Sequence, residues 1–192
     1  DTLQAPLDVA YVVGKTGLSI YATDAPITDD TAGRVVRLAE RAFTGATPAS
    51  AKALADGTAV SLEGVTTAVF SGLSPARFYV ESKERTGGIQ ARCATSLPAA
   101  DRKFVGTGTI QTDAGTRERY ADIAVWQTSD RWVLQPIAMT TGALGGGPQG
   151  LQEGVADGVG IGNIGLLVRL CGTVVFAAPD YSYIYISDGS GV

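Results

Sequence analysis

Few residues in this sequence are of types that do chemistry, and their spacing argues against most of it. There is no histidine, which removes the general base of Ser-His-Asp and Cys-His systems. The two thiols, Cys93 and Cys171, have neither CxxC spacing nor a histidine beside them, so they do not read as metal ligands. They stand either as one disulfide or as two separate buried thiols packed like small apolar residues. A bridge closing so long a loop would stabilise by roughly 4 kcal/mol in the chain-entropy model. Glu81 and Glu84 fall in a turn crowded with charge, and nothing singles them out as an acid and base pair. We therefore expect no catalytic residue, no metal, no cofactor and no enzyme.

Three other motifs have a functional and a plain reading. Gly160-Ile161-Gly162-Asn163-Ile164-Gly165 satisfies GxGxxG, but a dinucleotide fingerprint follows a strand and opens a helix. This one follows a glycine-rich stretch and opens a strand, so a loop is expected. Asp188-Gly189-Ser190-Gly191 offers oxygens without the ligand-rich spacing of a calcium loop and reads as a β-turn. Tyr183 and Tyr185 share one strand face, where they would serve as a stacking platform for sugars or bases, or as packing at an assembly interface.

Composition narrows the partners. The net charge is −4 and the pI about 4.8. Beyond residue 150 the only basic residue is Arg169, set against Glu153, Asp157, Asp180 and Asp188. Binding to phosphate backbones draws on a basic face, so nucleic acid is a poor partner for that part. No apolar run is long enough to span a bilayer as a helix. With 192 residues, 45% of them hydrophobic, the chain can build a sizeable core. Its 25 glycines, with abundant Thr and Val, favour a mostly β architecture with tight turns. A first residue of Asp1 rather than Met fits a removed leader, as it would a trimmed chain, and points to an extracellular or cell-surface protein.

Positioning falls to the following elements. Ala10-Tyr11-Val12-Val13 and Leu18-Ser19-Ile20-Tyr21 flank Gly14-Lys15-Thr16-Gly17 and predict a hairpin. The residues before it, with Leu3 and Leu7, read as an unattached arm. Asp29, Asp30 or Thr31 caps a helix running to about Phe43, or residues 34–38 form a strand because Val35-Val36 is β-branched. A short helical turn is expected over residues 49–54, ended by Asp56-Gly57. Strands follow at 58–66, 77–81, 89–93, 105–112 and 118–125. Residues 140–165 are rich in glycine and predict a boundary or a wandering surface loop. Residues 166–176 and 183–186 then predict two more strands around a turn at Ala178-Pro179-Asp180.

An internal repeat is visible. Ala59-Val60-Ser61-Leu62-Glu63-Gly64 aligns with Leu167-Val168-Arg169-Leu170-Cys171-Gly172, glycine on glycine. Tyr79-Val80-Glu81 falls on Tyr185-Ile186-Ser187, and Gly87-Gly88-Ile89 on Ser190-Gly191-Val192. Five strands with a glycine late in the first are the outline of an OB-fold barrel, where that glycine lets a long strand bend between two sheets. The segments GTAVSLEG, AVF, RFYVESKERTGGIQ, VGTGTIQT, RERYADIAV, LQPIAM, ALGGG, GNIGLLVRLCGTV and YIYISDGSG, in this order over residues 52–192, resemble the tandem OB-fold repeats of large secreted or surface proteins of environmental bacteria. The resemblance implies β-barrel modules, extracellular location and no known chemistry. The departure from the pattern is the lack of further strands after Val192.

The organisation expected is an arm, hairpin and helix in residues 1–45, an OB-like barrel in 46–139, a linker in 140–164 and a truncated second OB-like repeat in 165–192. A truncated repeat leaves an unpaired edge and an apolar face, which need a cover. The N-terminal segment or a strand from another copy would supply it, the latter by β-strand addition. Leu3, Leu7, Tyr11, Val13, Tyr183, Tyr185 and Val192 are the contact residues this implies. The leading expectation is a secreted structural protein that self-assembles into a filament, surface layer or sheath. The other is a monomeric OB-type module that binds a glycan or a single-stranded nucleic acid.

Overall fold

The computed structural model describes residues 6–14, 17–24, 35–37, 41–94 and 96–190. The chain divides into two compact units, Asp1–Gly45 and Ala46–Val192.

In the first unit, β1 (Pro6–Gly14) and β2 (Gly17–Asp24) form an antiparallel hairpin closed at the pair Gly14 and Gly17. The expectation of an unattached arm is corrected from Pro6 onward, because Pro6 already lies opposite Asp24. β3 (Val35–Arg37) and β4 (Arg41–Ala42) both pair with β2. The helix expected up to Phe43 is therefore corrected to strand at these residues. Adjacent β-branched Val35 and Val36 lose rotamer freedom in a helix, and here β2 offers them an open edge instead.

At the boundary, β5 (Thr44–Ala46) leads into α1 (Pro48–Ala51) of the second unit. The Thr47 hydroxyl accepts the Ser50 backbone N–H and the Ser50 hydroxyl accepts the Thr47 N–H, a reciprocal cap on a helix of one turn. The chain then builds β6 (Ala59–Phe70), β7 (Arg77–Glu81), β8 (Gly88–Arg92), β9 (Arg102–Thr112) and β10 (Arg119–Arg131). Their order in the sheet is β5-β6-β7-β8-β10-β9, and β6 pairs with β9 as well, so β7 to β10 each have two partners and β6 has three. The β8 and β10 pairing is parallel, and β6–β7, β7–β8, β9–β10 and β6–β9 are antiparallel.

β6 serves two neighbours in turn. Its first part, from Ala59 to Thr66, pairs with β9, and its second, from Val65 to Phe70, with β7. Gly64 sits at the changeover, where a Cβ would lie 2.6 Å from both the Glu81 carbonyl oxygen and Val80 Cγ1. A side chain there would force the strands apart. Alternate residues of each strand point inward, giving a core of Val60, Leu62, Phe78, Val80, Ile89, Ala91, Phe104, Ile110, Ala121 and Ile123. Phe78 and Phe104 meet edge to face at its centre, 5.4 Å between ring centroids.

Beyond β10, β11 (Ile137–Ala138) pairs in parallel with β12 (Val168–Arg169), and β13 (Thr173–Ala177) pairs with β14 (Ile184–Ser187). The internal sequence match does not extend to secondary structure. Residues 59–64 lie in one unbroken strand of 12 residues, whereas the matched stretch breaks between Arg169 and Thr173. Residues 140–165 belong to the same compact unit as the sheet rather than separating two bodies. Among the described residues no helix is long and apolar enough to cross a membrane.

Candidate functional site

Period-two alternation in β13 and β14 places apolar side chains on both faces of a two-stranded ribbon. Val174 lies opposite Ile186, Phe176 opposite Tyr185 and Ala177 opposite Ile184, with an irregularity between Val174 and Phe176. One face carries Phe176, Tyr183 and Tyr185, whose ring centroids lie 5.3 to 5.8 Å apart. Ile184 and Ile186 point to the other. Both faces are in solvent: Tyr185 is 58% and Ile184 48% exposed. Among the described residues β13 and β14 pair only with each other, so each leaves a row of backbone groups open for another strand.

The tip of the hairpin is ordered by local bonds. Ala178 N–H donates to the Tyr183 carbonyl at 3.0 Å, and Asp180 Oδ1 accepts the Ser182 N–H at 3.1 Å and its hydroxyl at 2.8 Å. These bonds from Ser182 hold the Asp180 carboxyl below the usual carboxylate range. Tyr181, between them, has φ +56° and is 81% exposed.

The base is tied to the rest of the unit. Asp188 accepts the Thr141 N–H at 2.9 Å and its hydroxyl at 2.7 Å, and Gly142 N–H donates to the Ser190 hydroxyl at 2.9 Å. The Asp188 carboxyl is pushed well down, first by the Ser190 hydroxyl bond. Further in, fully buried Glu81 accepts from Arg85 Nε at 2.8 Å and from Leu167 N–H, while Arg85 also donates to the Leu167 and Gln135 carbonyls. Lys52, 1% exposed, donates from Nζ to the Ile164 carbonyl at 2.6 Å and to Gln149 Oε1 at 3.1 Å. Burial lowers its pKa to about 8 against the opposing pull of Glu118. Buried charges are tolerated when their hydrogen bonds are met, and these fix residues 149–167 to the sheet.

A second constellation occupies the outer face of β7, β8 and β10. Arg77 lies directly opposite Arg92, an unfavourable pairing unless each charge is answered. Arg92 is answered: it stacks 3.8 Å from the Tyr120 ring centroid, donates to Gln90 Oε1 at 2.7 Å and pairs with Asp113. Gln90 in turn donates to Glu118 Oε2 at 2.8 Å. Desolvation raises the pKa values of Glu118 and neighbouring Tyr79. Arg77 is half-buried, and its Nε is buried with no hydrogen-bond partner.

The sequence-predicted residues fare unevenly. Tyr183 and Tyr185 are brought together. Leu7, Tyr11 and Val13 lie on β1, whose backbone alone is described, and Leu3 and Val192 lie outside the described residues. Cys93 is half-buried and Cys171 exposed, and they do not form a disulfide. Phe176, Arg77 and the buried ties Lys52 and Glu81 were missed; the signal for Phe176 was the alternation that marked the tyrosines. Among the described residues no group of three or more His, Cys, Asp or Glu is placed to hold a metal. No family model, curated protein or solved structure matches this chain.

Proposed function

We propose that this chain is a secreted structural subunit that assembles with other copies of itself, at the cell surface or outside the cell, into a filament, layer or sheath. The observation that carries the reading is the hairpin β13–β14, exposed and apolar on both faces. An isolated two-stranded ribbon is marginal in water, and contiguous exposed apolar surface marks a contact site. The cover comes from another copy because the chain itself owns a suitable donor. Among the described residues β1 pairs only with β2, and its sequence carries Leu7, Val9, Tyr11 and Val13 at every second position. Addition of β1 to the hairpin edge would supply main-chain hydrogen bonds.

Within this reading, residues 59–131 form an OB-type barrel that serves as the scaffold. The pairing order and the parallel contact of β8 with β10 support it.

Light scattering and negative-stain microscopy of the purified protein test the proposal. Extended assemblies should form in the wild type and be lost in Tyr185→Asp with the far-UV spectrum unchanged. A second reading, a monomeric module for an uncharged glycan, is favoured by the three-ring cluster of Phe176, Tyr183 and Tyr185. It requires a monodisperse particle and saturable sugar binding that Tyr183→Ala abolishes; that result would replace the assembly reading.

A further inference from the structure

The hairpin carries one charge, Asp180 at its tip. Asp180 Oδ1 is engaged by Ser182 of its own turn. Asp188 at the base is already committed to Thr141 and Ser190. The outer face of β7 shows the opposite arrangement. The Arg77 side chain makes no hydrogen bond or ion pair with any described residue, lies opposite like-charged Arg92 on one side and Phe70 on the other in the strand pairing, and feels Glu118 without contacting it. Phe70 and Leu73 beside it are each 45% exposed. One side is a projecting acid flanked by exposed Tyr181 and Tyr183; the other is an unanswered guanidinium flanked by exposed apolar side chains.

Resting on the assembly reading, we infer that Asp180 of one copy pairs with Arg77 of the next, with Tyr181 seated against Phe70 and Leu73. A carboxylate there pairs with the accessible part of the half-buried Arg77 side chain and offsets its repulsion from Arg92. The contact joins two different surfaces, so each added copy presents a fresh tip and a fresh socket. Unless the rotation happens to close a ring, growth continues as a fibre.

Charge reversal tests this. Asp180→Arg lies in an exposed turn and Arg77→Glu on the sheet, so circular dichroism of both must match the wild type. Each variant alone should raise the critical concentration for assembly by about tenfold or more, the scale of one lost charge pair. An equimolar mixture should assemble again at close to the wild-type concentration as an alternating copolymer, because every tip then meets a socket of opposite sign. If Arg77→Glu fails to fold, Arg77→Gln with Asp180→Asn gives the loss without the rescue, and the double variant should be no worse than either single one. Wild-type assembly with an unchanged critical concentration in Asp180→Arg overturns the contact and leaves the assembly reading standing. A wild type that stays monomeric overturns both.

Discussion

Arg85 Nε lies 2.8 Å from Glu81 Oε2, and the glutamate side chain has no exposed surface. The same carboxylate receives the Leu167 N–H, and the same guanidinium reaches the Leu167 carbonyl at 3.0 Å. One ion pair thus closes the β7–β8 turn and holds the strand that precedes the hairpin. Removing Glu81 leaves the Leu167 N–H and an Arg85 side chain only 19% exposed without their acceptor. Glu81→Ala should cost about 3–5 kcal/mol in urea unfolding, and the double variant with Arg85→Ala should cost less than the sum of the two single ones. Strict additivity would mean that the pair does not act as a unit.

Gly88 and Gly165 touch backbone to backbone. A Cβ on Gly88 would lie 2.0 Å from the Gly165 carbonyl oxygen, and Gly165 itself has φ +87°. Gly88→Ala should destabilise by about 1–3 kcal/mol, the usual cost of overpacking, and speed amide exchange across residues 160–168. Gly72→Ala, with nothing within 4 Å of its Cβ position, is the matched control and should change stability by less than about 0.5 kcal/mol.

Lys52 makes stability depend on pH in a defined window. Its pKa falls from 10.5 to about 8 on folding, so between these values the unfolded chain holds a proton that the folded one has released. Stability should therefore rise with pH from about 8 to about 10.5, by roughly 3 kcal/mol at most. The neutral amine keeps two N–H groups, enough for Ile164 and Gln149. Tyr79, whose pKa is raised by burial, acts in the opposite sense once the unfolded phenol ionises. Denaturation of wild type and Lys52→Met at several pH values isolates the lysine: the difference between them should change across this window and be flat below it.

The cysteines predict a labelling pattern. Cys171 is exposed and Cys93 half-buried, so a maleimide should modify Cys171 at once in the native protein and Cys93 more slowly. Reducing agent should leave the unfolding midpoint unchanged. A protein with no reactive thiol before reduction would instead contain the bridge.

The strands of the main sheet were legible because their inward faces recur at period two: Val60 and Leu62, Phe78 and Val80, Ile89 and Ala91. Gly64 was legible as the point where β6 changes partners. Residues 31–43 were not, since a helical face through Val35, Leu38 and Ala42 competes with β-branching, and the decision between them depends on β2. The glycine-rich stretch misled for a different reason. Glycine reads as freedom in a sequence, yet a Cβ at Gly146 would lie 2.2 Å from the Ile161 carbonyl and one at Gly158 2.3 Å from the Gly146 carbonyl. These glycines are present because backbones pack there, a fact carried by distant contacts and not by local pattern. Lys52 and Glu81 were invisible for the same reason: charge reads as surface until its buried partners are known.

The order of the ties along the chain has a consequence for biosynthesis. Lys52, Glu81 and Arg85 all leave the ribosome well before Gln149, Ile164 and Leu167, and these before the ribbon of β13 and β14. The sites that hold the C-terminal portion are therefore made before the exposed apolar ribbon appears. A nascent chain is spared this exposed apolar segment until the rest of the second unit is ready to anchor it.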